Sequence, residues 1–225
     1  GRIDRVDKAL NQDELFLRII DYKSSAKGLN LVEVYYGLAL QMLSYLDVVL
    51  TYAEQWLGAK ASPAGVLYFH VHNPMISGKQ KMDDSKIEDE ILKKFKMQGL
   101  LLENQQIVQM MDTSLEKGTS NMVPAGLTAK GGFYKSSKTA DLDMFERLQG
   151  YIRDIMIQAG TSITNGKVKL DPFQHDQQTA CTYCPFRSVC QFDPTLEENK
   201  FRKLQDMKDE EVLERIAKQE REGDV

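Results

Sequence analysis

The sequence predicts an α/β fold, a mixed β-sheet flanked by helices, and three observations predict it. Two β-prone runs, Gly1–Lys8 and Leu17–Lys23, stand close enough to pair as a hairpin through the polar stretch Ala9–Phe16. A third run, Ala64–Pro74, follows after a segment long enough for a crossover helix, which makes it the parallel neighbour of Leu17–Lys23 by a right-handed connection. Two further stretches with helical periodicity come after it.

The run Leu17-Arg18-Ile19-Ile20-Asp21-Tyr22-Lys23 organises the rest. Side chains at i and i+2 of a strand share a face, so Asp21 and Lys23 point one way and Tyr22 the other. A hairpin brings Asp4 beside Asp21. Two carboxylates and a lysine at a sheet end make a hard-cation site next to a positive charge, which suits phosphodiester cleavage.

Leu29 to Leu57 reads as one long helix, apolar around much of its surface and so packed on two sides. Gly37 within it costs roughly 1 kcal/mol relative to alanine and allows close approach to the sheet. Gln41 and Tyr45 are four apart and share a face. Ala59–Pro63 reads as a linker before the strand Ala64–Pro74, where His70 and His72 read as polar-face residues with no third metal ligand at hand. Asp83–Lys96 is an amphipathic helix, Gly99–Leu102 starts another element, and Gly118–Ala129 is a loop. Lys130–Lys138 is basic with an aromatic pair, and reads as a solvated or DNA-touching hairpin. Residues 75–140 as a whole are read as an insertion between core elements. Asp141–Ala159 is a helix, Gly160–Gln178 is extended or turn, and residues 196–225 are a charged helical tail on a domain of residues 1–195.

Composition bounds the function. The chain has 225 residues, 42% hydrophobic and 28% charged, as an ordinary soluble globular protein does, and no apolar run long enough for a bilayer. It opens at Gly1 directly on a β-prone motif, without Met or leader, which we read as a fragment of a longer chain. The net charge is −4, with ten acids against seven bases from Thr195 onward. A free-standing DNA binder is more often basic, so the core is expected to receive DNA from other domains. The three cysteines fall within ten residues, Cys181-x2-Cys184-x5-Cys190, a poor disulfide framework and a better metal or cluster site in a reducing cytoplasm. A fourth ligand is needed: His175 nearby would complete a zinc site, whereas iron–sulfur clusters take four cysteines.

Gly1-Arg2-Ile3-Asp4, Ile20-Asp21-Tyr22-Lys23 and Gln41-Met42-Leu43-Ser44-Tyr45, in this order and followed by the cysteine cluster, resemble the iron–sulfur variant of the RecB-type branch of the PD-(D/E)xK nucleases. The likeness covers most of residues 1–195 and implies a restriction-endonuclease-like sheet with a C-terminal iron–sulfur cluster loop. It further implies that Asp4, Asp21 and the backbone carbonyl of Tyr22 hold Mg²⁺, that Lys23 acts on the attacking water or the scissile phosphate, and that Gln41 and Tyr45 support the site or the DNA. The glycine spacing of the motif favours Asp4 over its rival Asp7. Cys181, Cys184 and Cys190 are expected to hold a [4Fe–4S] cluster with a cysteine upstream of Gly1, in place of the zinc alternative. The implied partners are DNA and an AddA-type helicase–nuclease subunit, in an ATP-dependent complex that processes double-strand breaks and cuts the 5′-terminated strand. No P-loop motif is present here, so ATP is expected to be used by other domains. The rival readings are a free-standing exonuclease of the Cas4 type, an inactive nuclease fold kept for interaction, and a non-catalytic zinc and nucleic-acid-binding module.

Overall fold

The computed structural model describes residues 1–75 and 83–223. Strands β1 (Arg5–Asn11) and β2 (Glu14–Lys23) form the hairpin, but their loop is two residues and not the stretch Ala9–Phe16. Gln12 and Asp13 take φ of 48° and 69°, the left-handed pair that matches the twist of a hairpin, so pairing runs on to Asn11↔Glu14.

The expected single helix over Leu29–Leu57 is three: α1 (Leu31–Tyr35), α2 (Gln41–Thr51) and α3 (Ala53–Leu57). Gly37 sits at φ +77°, past the end of α1, so glycine ends the helix there and does not merely weaken it. Asn30 caps α1, its Oδ1 accepting from the amides of Val32 and Glu33 at 2.9 and 3.2 Å.

Strand β3 (Ala61–His70) starts within the expected linker and ends before the expected Pro74; it lies parallel to β2 as predicted. Helix α4 (Asp84–Lys94) is followed by β4 (Gln98–Leu102), antiparallel to β3. Gly99, at φ +152°, lies so close to β3 that a Cβ would sit 2.0 Å from the carbonyl oxygen of Val66. Then come α5 (Gln105–Met111), the short pair β5 (Gly118–Thr119) and β6 (Gly126–Leu127), and β7 (Thr139–Ala140), which closes a five-stranded sheet of order β1-β2-β3-β4-β7.

Helix α6 (Leu142–Thr164) outruns the expected Ala159, so the stretch expected to be extended from Gly160 begins as helix. A small sheet of β8 (Phe173–His175), β9 (Gln178–Thr179) and β10 (Arg202–Lys203) brackets the cysteine loop and its one-turn helix α7 (Arg187–Cys190). Helix α8 (Asp209–Gly223) ends the described chain.

Both sheet faces are covered. On one, Leu17, Ile19 and Val66 pack against Met42, Leu43 and Leu46 of α2, Phe145, Leu148 and Ile152 of α6, and Val212 and Ile216 of α8. On the other, Ile20, Leu67 and Leu101 pack against Val108, Leu115, Val123 and Leu127, so part of the region expected as an insertion supplies the second layer. This burial on both faces explains why β2 and β3 read as near-continuous apolar runs. Among the described residues no helix is long and apolar enough to cross a membrane.

Candidate active site

The hairpin register sets the site. Arg5 pairs with Ile20, so Asp4, one residue earlier, stands opposite Asp21. The Tyr22 amide donates to Asp4 Oδ2 at 3.1 Å, tying the exposed carboxylate to the backbone next to Asp21. Asp21 continues the face of Leu15, Leu17 and Ile19 and is only 3% exposed. Lys23 follows on the same face, with Nζ 2.6 Å from Asp21 Oδ2. Oδ2 is itself buried, and Lys23 is the charged partner it meets. A buried carboxylate, a second carboxylate across the hairpin and an all-oxygen donor set fit a hard divalent cation.

Tyr22 turns to the opposite face, as the alternation predicts. Its ring meets Phe69 edge-on at 5.8 Å and its hydroxyl accepts from Arg5 at 3.3 Å. Asp7 shares that opposite face. Its two oxygens accept from Arg5 at 2.7 Å and Arg18 at 2.8 Å. Burial alone would push the Asp7 carboxyl up, but the hydrogen bonds and charges of the two arginines outweigh it and hold it below its ordinary 3.8. Asp7 is committed to structure, which leaves Asp4 as the partner of Asp21.

Gln41, the first residue of α2, donates from Nε2 to the Tyr45 hydroxyl at 3.3 Å. That hydroxyl lies against Gly1, where any side chain would collide with it. The pair therefore flanks the chain segment leading to Asp4.

Two residues near the site had no motif to announce them. Tyr68 is the β3 partner of Asp21 and is 4% exposed. Burial, then the charges of Asp21 and Glu33, push its hydroxyl up to about 12, so it stays protonated. Glu33, in the first turn of α1, thereby places a further negative charge near this face. The available signal was the period of two along β3, which puts Tyr68 on the polar face with His70 and His72. Those two rings stack at 3.9 Å.

The cysteines are elsewhere in the fold. Cys181, Cys184 and Cys190 line a cavity of about 360 Å³ with Arg187, Phe192 and Phe201. Their sulfurs do not all lie within 4.8 Å of one another. A single zinc ion at about 2.3 Å from each thiolate would draw them to roughly 3.8 Å apart. His175 is not among the cavity residues. Its Nε2 lies 2.7 Å from Asp206 Oδ1, and the half-buried His175 forms with exposed Asp176 and Asp206 a group within 4.8 Å. The structure thus does not bring His175 to the thiols as a fourth ligand.

Comparison with known proteins gives this geometry a family. The model of the PD-(D/E)XK nuclease superfamily matches residues 1–191. The chain is similar to an ATP-dependent helicase/deoxyribonuclease subunit from Oceanobacillus iheyensis, 62% identical over 224 residues, and to the proteins of the same name from Bacillus licheniformis, 55% over 225, and Bacillus subtilis, 52% over 219. These alignments take in 100%, 100% and 97% of this chain but 19% of each relative, so the chain spans about a fifth of their length. From the match over nearly all of its length, and with the two aspartates and the lysine gathered at one sheet end, the chain belongs to the PD-(D/E)XK nuclease superfamily.

Proposed function

We propose that the chain is the nuclease domain of an AddB-type subunit of a bacterial helicase–nuclease, residues 1–195 with a helical tail, and that it hydrolyses phosphodiester bonds of one unwound DNA strand, the 5′-terminated one. The observation that carries the reading is the convergence of Asp4, Asp21 and Lys23 at the end of the β1–β2 hairpin.

Asp4, Asp21 and the Tyr22 carbonyl would hold Mg²⁺, which supplies Lewis acidity at the phosphate and a water of lowered pKa. Asp21 is held in place by burial, and Lys23 sets a positive charge against it. Drawn toward the scissile phosphate, Lys23 orients the attacking water or offsets the charge building on the phosphate oxygens. Gln41 and Tyr45 buttress the segment carrying Asp4. In this reading the partners are DNA and an AddA-type subunit whose motor domains consume ATP, and the protein works in the cytoplasm.

Cys181, Cys184 and Cys190 would hold a [4Fe–4S] cluster with a fourth cysteine outside this sequence. What supports the reading is the spacing of the three thiols and the cavity they share. Its role is structural, a clip holding the C-terminal loop.

The test is cleavage of a labelled single strand by the intact protein with and without Mg²⁺. Asp4→Ala, Asp21→Ala and Lys23→Ala should each lose activity by about 10²–10³-fold or more while remaining folded. Undiminished cleavage by Asp21→Ala would remove the assignment.

A further inference from the structure

A further cavity, rimmed by lysines, adjoins the carboxylate pair on the same sheet face. It measures about 430 Å³ and is walled by Lys27, Tyr68, His70, Lys93, Lys94 and Lys96. Asp21 pairs with Tyr68 and Lys23 with His70 along β2 and β3, so the wall begins one strand away, about 4.8 Å across the sheet. We propose that this cavity seats the phosphate backbone of the DNA strand next to the bond being cut. The identity of the strand rests on the nuclease reading above.

Charge is the first argument. The chain carries a net −4, yet among the described residues four lysines and no carboxylate line this cavity. Lys93 is paired with exposed Glu90 at 2.6 Å, whereas Lys27, Lys94 and Lys96 form no ion pair among the described residues. Lys96 is half-buried, and burial lowers its pKa below the ordinary 10.5, a cost that an incoming anion relieves.

Continuity is the second argument. Lys96 and Gln98 also line the next cavity along the sheet, about 330 Å³, where the other walls include Ser136, Ser137 and Lys138, the last paired with Asp209 at 2.6 Å. Cationic and hydroxyl groups thus follow one another from the carboxylates across the end of β4, as a track for successive phosphates requires. Rings are the third argument. His70 stacks on His72 at 3.9 Å, and Phe95 meets His72 at 5.3 Å, beside the lysines. Cations along a groove with rings at its side is the arrangement that holds single strands without regard to sequence.

The inference is tested in the intact protein by changing Lys27, Lys94 and Lys96 together to Ala, and separately to Arg. The probe is a fluorescein-labelled oligothymidine, its binding followed by anisotropy in EDTA so that no cleavage occurs. The alanine variant should bind on the order of tenfold more weakly, and its slope of log affinity against log salt should fall by about 2, for three lost contacts. The arginine variant should bind as the parent does. Parental affinity and salt slope in the alanine variant would overturn the proposal. Asp21→Ala, run alongside, separates the two readings. If it still cuts DNA the nuclease assignment fails, while loss of salt slope in the lysine variant would still assign the cavity to the strand.

Discussion

Asp21 and Lys23 are held by a ladder: β2 is paired on both sides, its face is buried, and the register with β1 places Asp4 across from Asp21. Cys181, Cys184 and Cys190 have nothing comparable. They sit in turns and a one-turn helix, closed by the short pairing of β10 with β8, the His175–Asp206 contact and the Phe192–Phe201 ring pair. The first site is built before any ion arrives, because its geometry follows from the sheet. The second has its thiols spaced around a cavity, and in the proposed reading it depends on the cluster that would fill it. The difference teaches where a metal acts on a ready scaffold and where it would be part of the scaffold.

The strongest way to break the comparison is to disturb the ladder. Gly99→Ala places a Cβ against the backbone of Val66 in the middle of the sheet. We expect it to cost about 4 kcal/mol or more, measured by urea unfolding, and to abolish divalent-ion-dependent cleavage with it. A stable, active Gly99→Ala protein would show that the sheet does not set the site. Next comes Ile216→Ala in α8, a fully buried side chain packed on α1 and α6. Its truncation should cost about 2–5 kcal/mol, and an effect near zero would mean that α8 does not belong to the core.

The cysteine loop should respond differently. On the proposed cluster, Cys190→Ser should lower the iron content of the purified protein and expose residues 181–203 to protease, while the unfolding of the β1–β4 sheet shifts by about 1 kcal/mol or less. Collapse of the sheet in that variant would merge the two regions.

The smallest expected effect is a pH-dependent one in the second layer. Asp112 is buried, which alone would raise its pKa, but hydrogen bonds from the hydroxyls of Ser114 and Ser120 and the Ser114 amide hold it below 3.8. A depressed carboxylate stabilises the fold above its unfolded value and loses that contribution as pH falls through its folded value. Asp112→Asn should therefore be less stable by about 1 kcal/mol at neutral pH, and the gap should close on acidification below 3.8. A gap unchanged with pH would show that the charge is not what stabilises this turn.

What the sequence made legible follows one rule: local periods carry over and distant encounters do not. Asp21 and Lys23 share a face because strand side chains alternate, and Gln41 reaches Tyr45 because they are four apart on a helix. The parallel β2–β3 pairing followed from the intervening helical stretch. The hairpin turn was hidden because Gln12-Asp13 is a weaker turn signal than Asn-Gly, so the whole interval looks like loop in the sequence alone. Gly37 shows only its cost inside a helix, when its use is to end one. The lysine cavity was beyond reach, since Lys27, His70 and Lys96 meet only after the sheet has formed. Val212 and Ile216 stand out as apolar positions of the charged tail, and their spacing of four puts them on one side, but only the fold shows that this side joins the main core.

The most direct measurement is the Mg²⁺ dependence of single-strand cleavage by the intact protein carrying Asp21→Asn, a change that keeps shape and removes charge. The account predicts a folded protein with its iron content unchanged and no cleavage at any Mg²⁺ concentration. Cleavage at the parental rate with the parental Mg²⁺ dependence would contradict it, because the buried oxygen beside Lys23 would then hold nothing that the reaction needs.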